Sequence, residues 1–211
     1  MPGRSEARDS TFERVTALPQ TPLVLAAREA IEPVLPPALF AHSIRTFLYA
    51  RAWAHAERLA FDEEGLLVAS LFHDAGLCAP YKDTRRAFQF NSSDGLRDLL
   101  ARRGIDGRRI QRLTRAVLHH FQPIPRWRYG PEAGLLHIGA YLDALGVRAW
   151  RIRAARRVIR SAYPPGASSR ALFGLIARSI RGPRSCIGLL LPEFFDEAGT
   201  EIDTRAARGD H

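Results

Sequence analysis

Apolar side chains recur at spacings of three and four residues along most of this chain, and proline or glycine interrupts the pattern at short intervals. The clearest run covers residues 37–59, where alanine is abundant and glycine is absent. A second run places Ile110, Leu113, Val117 and His120 at spacings of 3, 4 and 3. Such spacing puts side chains on one face of an α-helix, and no segment shows the alternation of a half-buried strand. The pattern therefore predicts an all-α fold of seven to nine helices.

Capping residues indicate where these helices begin and end. Ser, Thr and Asp favour the position before a helix, Pro favours its first turn, and Gly favours the position after it. Helix starts are expected at Thr21–Pro22, Asp62–Glu63, Ser92 or Ser93, Asp106 and Pro131–Glu132, and ends at Gly76, Gly104 and Gly146. An Arg-rich helix is expected to end before Tyr163, and a last clear helix to cover 169–180.

Composition excludes several classes of protein. Of the 211 residues 46% are hydrophobic and 25% charged, which is typical of a soluble globular protein and not of a disordered or fibrous one. No apolar stretch is long enough to cross a bilayer, and the first thirty residues lack the apolar core of a secretory signal. Two cysteines, Cys78 and Cys186, do not form a disulfide framework. We therefore expect a cytoplasmic protein with reduced thiols and no membrane partner.

The net charge of +9 does not by itself indicate a nucleic-acid partner. Of the 31 basic residues only Lys82 is lysine, a bias that composition of the coding sequence explains as well as selection does. Six arginines cluster within residues 148–160. No aromatic-interleaved groove or nucleic-acid motif accompanies them, so the cluster is interpreted as a solvated helix face and nucleic acid as an unlikely partner.

Four residues on three expected helices carry the functional prediction. His42 lies in the long helix, His73 and Asp74 are adjacent at the end of the next helix, and Asp143 lies in the last turn of a later one. Imidazole and carboxylate together form the ligand set of hydrolytic Zn, Mn or Fe sites. A carboxylate at a helix C-terminus opposes the helix dipole, which favours a cation beside Asp74 and Asp143. Arg45, one turn after His42, is expected either to pair with a carboxylate near the site or to support the fold.

This pattern resembles the HD-domain metalloprotein superfamily, whose signature is His…His-Asp…Asp on a helical bundle. The residues that carry the resemblance are 42–46 (HSIRT), 69–77 (ASLFHDAGL) and 140–143 (AYLD). The resemblance covers residues 21–185, which we expect to form an HD domain. Residues 1–20 are then a flexible N-terminal arm, and residues 186–211 a C-terminal extension that is partly irregular.

A narrower resemblance is to the cyanamide hydratase-like branch of that superfamily. It is carried by residues 42–45 (HSIR), 88–94 (FQFNSSD), 116–120 (AVLHH), and by Tyr163-Pro164 followed by Gly182-Pro183. The chain departs from the branch pattern at four places outside the expected metal ligands. Gln89 replaces a Glu, Ser92-Ser93 replaces Gly-Ala, Pro165 replaces an Arg and Gly182 replaces a Lys.

The resemblance implies a helical metalloenzyme that holds one divalent cation, most commonly Zn, with Fe, Mn or Ni as alternatives. The implied ligands are His42, His73, Asp74 and Asp143. The implied reaction is hydration or hydrolysis of a small nitrogenous molecule, for which cyanamide is the type case. His120 and Asp74 are the expected catalytic groups, because His120 lies on the apolar face of its helix and at the spacing of the branch.

Substrate contacts are expected from three further residues, His119, Lys82 and Phe88.

Three alternative functions stay open from the sequence. The Arg excess would suit a phosphohydrolase of a nucleotide or phosphomonoester, although few cations lie near the expected site in sequence. His120 could supply one additional ligand of a dinuclear iron oxygenase. A non-catalytic HD scaffold is the third. A small-molecule substrate is the expected partner, and the apolar patch after residue 186 could dock on a second subunit.

Overall fold

A computed structural model describes residues 12–165 and 168–179 of the chain, and every regular element in them is helical. The all-α prediction is therefore confirmed for these residues. After a short helical segment at residues 12–16, the α-helices are α1 (Pro22–Ile31), α2 (Pro37–Ala56), α3 (Glu63–Phe72), α4 (Phe88–Arg102), α5 (Gly107–His119), α6 (Pro131–Leu145), α7 (Arg153–Ala162) and α8 (Ser168–Ser179). Short 3-10 turns cover Ala75–Leu77, Trp127–Tyr129 and Ala149–Ile152.

Three of the expected N-caps are confirmed by their hydrogen bonds. The Thr21 side chain accepts from the backbone N–H of Val24, that of Asp62 from Gly65, and that of Asp106 from Arg109. Each bond satisfies one of the amide groups that the first turn of a helix leaves without a partner. Gly146 ends α6 in the left-handed conformation, with φ of 70°. Short-range sequence signals thus place the helices that carry the later site.

The segment between α3 and α4 differs from the sequence-based expectation. Ser92 does not cap a helix, because α4 begins four residues earlier at Phe88 and has no side-chain cap. Instead the Ser92 hydroxyl accepts the backbone N–H of Gly76 at 2.9 Å, and Ser93 donates to the Thr114 carbonyl. Gly76 does not end α3 either. It allows close packing, since a Cβ there would lie 2.1 Å from the Phe88 carbonyl oxygen.

Helix α3 forms the centre of the molecule, and its residues from Gly65 to Phe72 are all buried. Helices α1, α2, α5 and α6 pack around it. Helices α2 and α6 approach each other closely, since a Cβ on Gly139 would lie 2.2 Å from the Thr46 carbonyl oxygen. Glycine at this crossing lets two backbones touch, which holds the polar residues of α2 and α6 at a fixed separation.

The N-terminal arm expected over residues 1–20 is in contact with the domain in its described part. Residues 12–16 are helical. The buried Arg51 of α2 donates to the carbonyl oxygens of Val15 and Ala17 at 2.7 and 2.8 Å, and pairs with Glu63. Leu18 packs against the hydrophobic core. These bonds satisfy a buried guanidinium, which is why the contacts of the domain begin before Thr21.

Several predictions fall on residues outside the described ranges. They are the first eleven residues of the arm, the expected Gly182-Pro183 element, Cys186 and the extension 186–211. Cys78 is a free thiol. None of the helices in the described part of the chain combines the length and apolar character that crossing a membrane requires.

Candidate metal centre

Two helices and the turn after one of them bring three side chains together at one buried point. His42 lies on α2, while His73 caps the end of α3 and Asp74 follows it directly. The Nε2 atoms of His42 and His73 are 3.2 Å apart. Asp74 Oδ2 lies 3.2 Å from His73 Nε2 and 3.6 Å from His42 Nε2. All three side chains are at most 2% exposed, so bulk water does not screen their charges.

The hydrogen bonds of the two imidazoles define which ring nitrogens carry protons. His73 Nδ1 lies 2.7 Å from the Ser70 carbonyl, which can only accept, so Nδ1 carries the proton. His42 Nδ1 lies 2.7 Å from Asp143 Oδ2 and donates to that carboxylate. Both Nε2 atoms therefore present lone pairs to each other and to Asp74. Asp74 Oδ2 has no hydrogen-bond donor among the described residues. The three atoms can be satisfied together only by a cation.

The spacing of the three atoms fits a divalent ion. Ligands about 2.0–2.1 Å from a tetrahedral zinc ion are separated from one another by about 3.3 Å. The observed separations of 3.2, 3.2 and 3.6 Å match one triangular face of such a site. His42, His73 and Asp74 would thus hold the ion and leave coordination positions open on the other side. That open side is typical of catalytic sites, whereas structural zinc sites are closed by four protein ligands.

Electrostatics at this point also favour a positive charge. Burial would raise the pKa of Asp74, but the neighbouring imidazoles of His73, His120 and His42 hold it far below its usual range. Burial would lower the pKa of His73, yet the charge of Asp74 outweighs burial and raises it. The carboxylate is therefore ionised, and it stabilises a proton or a metal ion between the imidazoles.

Asp143 takes a different place from the one expected of it. It was expected as the fourth ligand, but its oxygens lie behind His42, on the Nδ1 edge of that ring. Arg45 donates to Asp143 through Nε and Nη2 at 2.7 Å each, and His42 Nδ1 donates to the same carboxylate. Arg45 is fully buried, so its charge requires this partner. Asp143 fixes the tautomer and orientation of His42, which is the usual role of a carboxylate behind a metal-binding histidine.

Electrostatics agree with that geometry. Burial would raise the pKa of Asp143, but hydrogen bonds from His42 and Arg45 lower it, so the carboxylate stays ionised. His42 and Arg45 are three residues apart on α2 and so lie on the same side of that helix. The Gly139 crossing places Asp143 of α6 opposite them.

His120 lies at the open side of the group. Its Nδ1 is 2.6 Å from the Val117 carbonyl and carries the proton, so Nε2 presents a lone pair. That Nε2 lies 3.7 Å from Asp74 Oδ1. Burial lowers the pKa of His120, which keeps it neutral near pH 7. The two oxygens of Asp74 therefore face different partners, Oδ2 the His42–His73 pair and Oδ1 His120.

A cavity of about 70 Å³ opens at the ends of these four side chains. The remaining walls are apolar or aromatic: Phe121, Ala140, Tyr141, Ala144, Leu145, Leu172, Phe173 and Ile176. None of the described lining residues is Lys or Arg. The Tyr141 hydroxyl donates to the Phe121 and Gln122 carbonyls. The volume is enough for a few waters or a ligand of a few heavy atoms.

The residues expected to contact substrate lie elsewhere. His119 stacks on Tyr129 with ring centroids 4.2 Å apart, and it does not line the cavity. Lys82 is exposed in the segment after α3. Phe88 is buried with its ring edge-on to His120 at 5.8 Å, so it supports that histidine from behind. Consecutive residues at a helix end point in different directions, which is why His119 and His120 separate.

Sequence reasoning did not identify the apolar walls of the cavity. Leu172 and Ile176 come from α8, four residues apart and on one face of that helix. Their spacing is the same as that of an ordinary core contact, so no signal in the sequence distinguishes a cavity wall from core. Tyr141 lies within residues 140–143 (AYLD), a segment in which only Asp143 is predicted to be a site residue.

Comparison with known families agrees with this geometry. The family profile of the HD domain matches residues 39–146, which is just over half of the chain. The matched range begins before His42, includes His73 and Asp74, and ends after Asp143. Helices α1, α7 and α8 lie outside it. No curated protein matches the chain.

Proposed function

The chain belongs to the HD-domain family, whose members are mostly metal-dependent hydrolases, and we propose that it is a metal-dependent hydratase or hydrolase of a small, uncharged nitrogenous substrate. Cyanamide, which hydration converts to urea, is the type case. The observation that carries the proposal is the pairing of a three-ligand cation site with a small cavity that is apolar on its other walls.

His42, His73 and Asp74 would hold the ion, with Asp143 orienting His42. A divalent cation bound there lowers the pKa of a water and polarises a nitrile or carbonyl group. Hydration of cyanamide adds the oxygen of water to the nitrile carbon and a proton to the nitrile nitrogen. The isourea formed then tautomerises to urea. The reaction needs no oxidant, reductant or second substrate.

His120 is suited to move the proton. Its Nε2 is unprotonated, faces the Asp74 side of the cavity and belongs to an imidazole whose pKa is lowered by burial. It can accept a proton from the attacking water and return it to the substrate nitrogen. The Val117 carbonyl keeps the ring in the tautomer that this role requires. Phe88 holds the ring from the side.

The cavity walls support an uncharged substrate over a phosphate ester. Recognition of phosphate requires convergent Arg or Lys side chains. The arginine nearest in sequence, Arg45, is committed to Asp143, and Arg85 and Arg86 pair with Asp83 and Asp94. None of the described residues that line the cavity is Lys or Arg. The negative charge of a phosphate ester would therefore meet the negative charge of Asp74, with only one metal ion to offset both.

One observation favours a second candidate, a dinuclear iron oxygenase. The two oxygens of Asp74 have different neighbours: Oδ2 lies near His42 and His73, and Oδ1 lies 3.7 Å from His120 Nε2. A carboxylate so placed can bridge two ions. The second ion would have few protein ligands, because His137 donates its Nδ1 proton to the His120 carbonyl and stacks on Tyr141.

The test is urea formation from cyanamide by the purified full chain loaded in turn with Zn, Mn, Fe and Ni. His73→Gln should abolish turnover. The matched control is His55→Gln, since His55 lies on the exposed surface of α2 and should leave turnover within about twofold. Failure with cyanamide, simple nitriles and small amides, combined with metal-dependent cleavage of p-nitrophenyl phosphate, would overturn the proposal. Oxygen consumption by the iron-loaded chain would support the second candidate instead.

A further inference from the structure

A second concavity lies at the Arg-rich helix α7, and its walls are mostly basic, whereas those of the first cavity are mostly apolar. Its volume is about 480 Å³. Its walls are Ala149, Trp150, Arg153, Arg156, Arg157 and Arg160. The four arginines follow the i, i+3, i+4, i+7 pattern and therefore share one side of the helix. The other side is anchored by the buried Ile159, with Ile152 buried just before the helix.

These arginines have no carboxylate partner among the described residues. Other described arginines are paired, as Arg151 is with Glu57 and Arg109 with Asp62. Four like charges on ten residues repel one another, and α7 has no acidic residue in its first turn. The positive end of the helix dipole adds to that repulsion. An anion bound in the concavity would relieve both.

Trp150 adds a second kind of contact. Its side chain is 65% exposed, the largest exposure of any large hydrophobic residue described. Arg151 lies over the indole with its guanidinium carbon 5.1 Å from the ring centroid. The indole also forms part of the wall of the arginine concavity. An exposed aromatic beside guanidinium groups is the combination that binds stacked bases and their phosphates.

We propose that the concavity formed by Trp150 and the four arginines of α7 binds a nucleotide, with its phosphates on the guanidinium groups and its base on the indole. Arg recognises phosphate through a planar pair of N–H donors, which a stripe of four can offer to consecutive phosphates. The volume lies within the range of ligand sites for molecules of this size. The site is separate from the metal centre in its residues and does not depend on the proposed reaction.

The same chemistry is present in a free nucleoside triphosphate and in a single-stranded nucleic acid, and the test separates them. Binding of ATP, inorganic tripolyphosphate and a twelve-residue oligothymidylate to the full chain is measured by calorimetry and tryptophan fluorescence. Arg156→Gln/Arg160→Gln should weaken binding at least about tenfold, since two charged hydrogen-bonding groups are lost. If the oligonucleotide is the ligand, the slope of log affinity against log salt should also fall by about 1.4.

The matched control is Arg103→Gln/Arg108→Gln, which removes the same charge from exposed positions outside the concavity. It should change affinity less than about threefold. Trp150→Ala should weaken the binding of ATP or of the oligonucleotide but not that of tripolyphosphate, which has no base. An equal loss of affinity in the control double variant would show that binding depends only on the net charge of the protein, and would overturn the proposal. Absence of binding by all three probes would do the same, and indifference to Trp150→Ala would refute the base contact.

Discussion

Asp143→Asn tests the role that the structure assigns to the Arg45–Asp143 pair. Asparagine keeps the shape of the side chain but removes its charge, and its amide cannot accept from His42 and both Arg45 donors at once. Arg45 is fully buried, and removing one partner of a buried ion pair costs about 3–5 kcal/mol of unfolding free energy. His42 also loses the carboxylate that orients it, which weakens metal binding about 10–100-fold.

The assay has two arms on the full chain. Urea unfolding of the metal-free protein gives the stability, and competition with a chromophoric chelator gives the zinc affinity. Arg45→Met/Asp143→Asn should regain part of the lost stability, because it removes both charges and leaves no unpaired guanidinium. Complete loss of zinc binding in Asp143→Asn, equal to that in His73→Gln, would show that Asp143 is a ligand. Zinc affinity within twofold of wild type would show that it does not orient His42.

Three further predictions concern packing, pH and the cavity. Gly139→Ala should destabilise the fold by more than about 2 kcal/mol, because its Cβ would meet the Thr46 carbonyl at 2.2 Å. Gly107→Ala, whose Cβ would meet nothing within 4 Å, should not destabilise it, and urea unfolding of the two variants gives the comparison. Burial lowers the pKa of His137 to about 4. As pH falls from about 6.5 to 4, this imidazole therefore takes up a proton mainly in the unfolded chain, which favours unfolding. Across that window wild type should lose about 2–3 kcal/mol more stability than His137→Asn, and equal losses would refute this. Leu172→Ala should enlarge the cavity and so increase the affinity of the cobalt-loaded chain for imidazole, measured by visible spectroscopy. Leu175→Ala, which lies outside the cavity wall, should not change that affinity.

The helices and the adjacent pair His73 and Asp74 could be predicted because their signals are short-range, whereas His42 was predicted beside them only from the whole His…His-Asp…Asp pattern. Caps such as Thr21 and Asp106 act within three residues of themselves. The His73-Asp74 pair is adjacent in sequence, and a carboxylate after a helix end indicates a nearby cation. These features required no knowledge of which helices touch.

The features that sequence could not predict depend on contacts between distant residues. Asp143 was predicted as a metal ligand from its residue type and position, but its ion pair with Arg45, 98 residues away in sequence, was not predicted. Ser92 looked like a cap, but its partner is the amide of Gly76 in the preceding turn. In each case a polar side chain had two possible partners, and tertiary packing decided between them.

His42, His73 and Asp74 are expected to hold a single divalent ion. The most direct test is the number of metal ions bound per chain at saturation, measured by elemental analysis after gel filtration with the protein concentration determined independently. This ligand set predicts one ion per wild-type chain and none in His73→Gln. Two ions per wild-type chain, or one ion retained in His73→Gln, would contradict it.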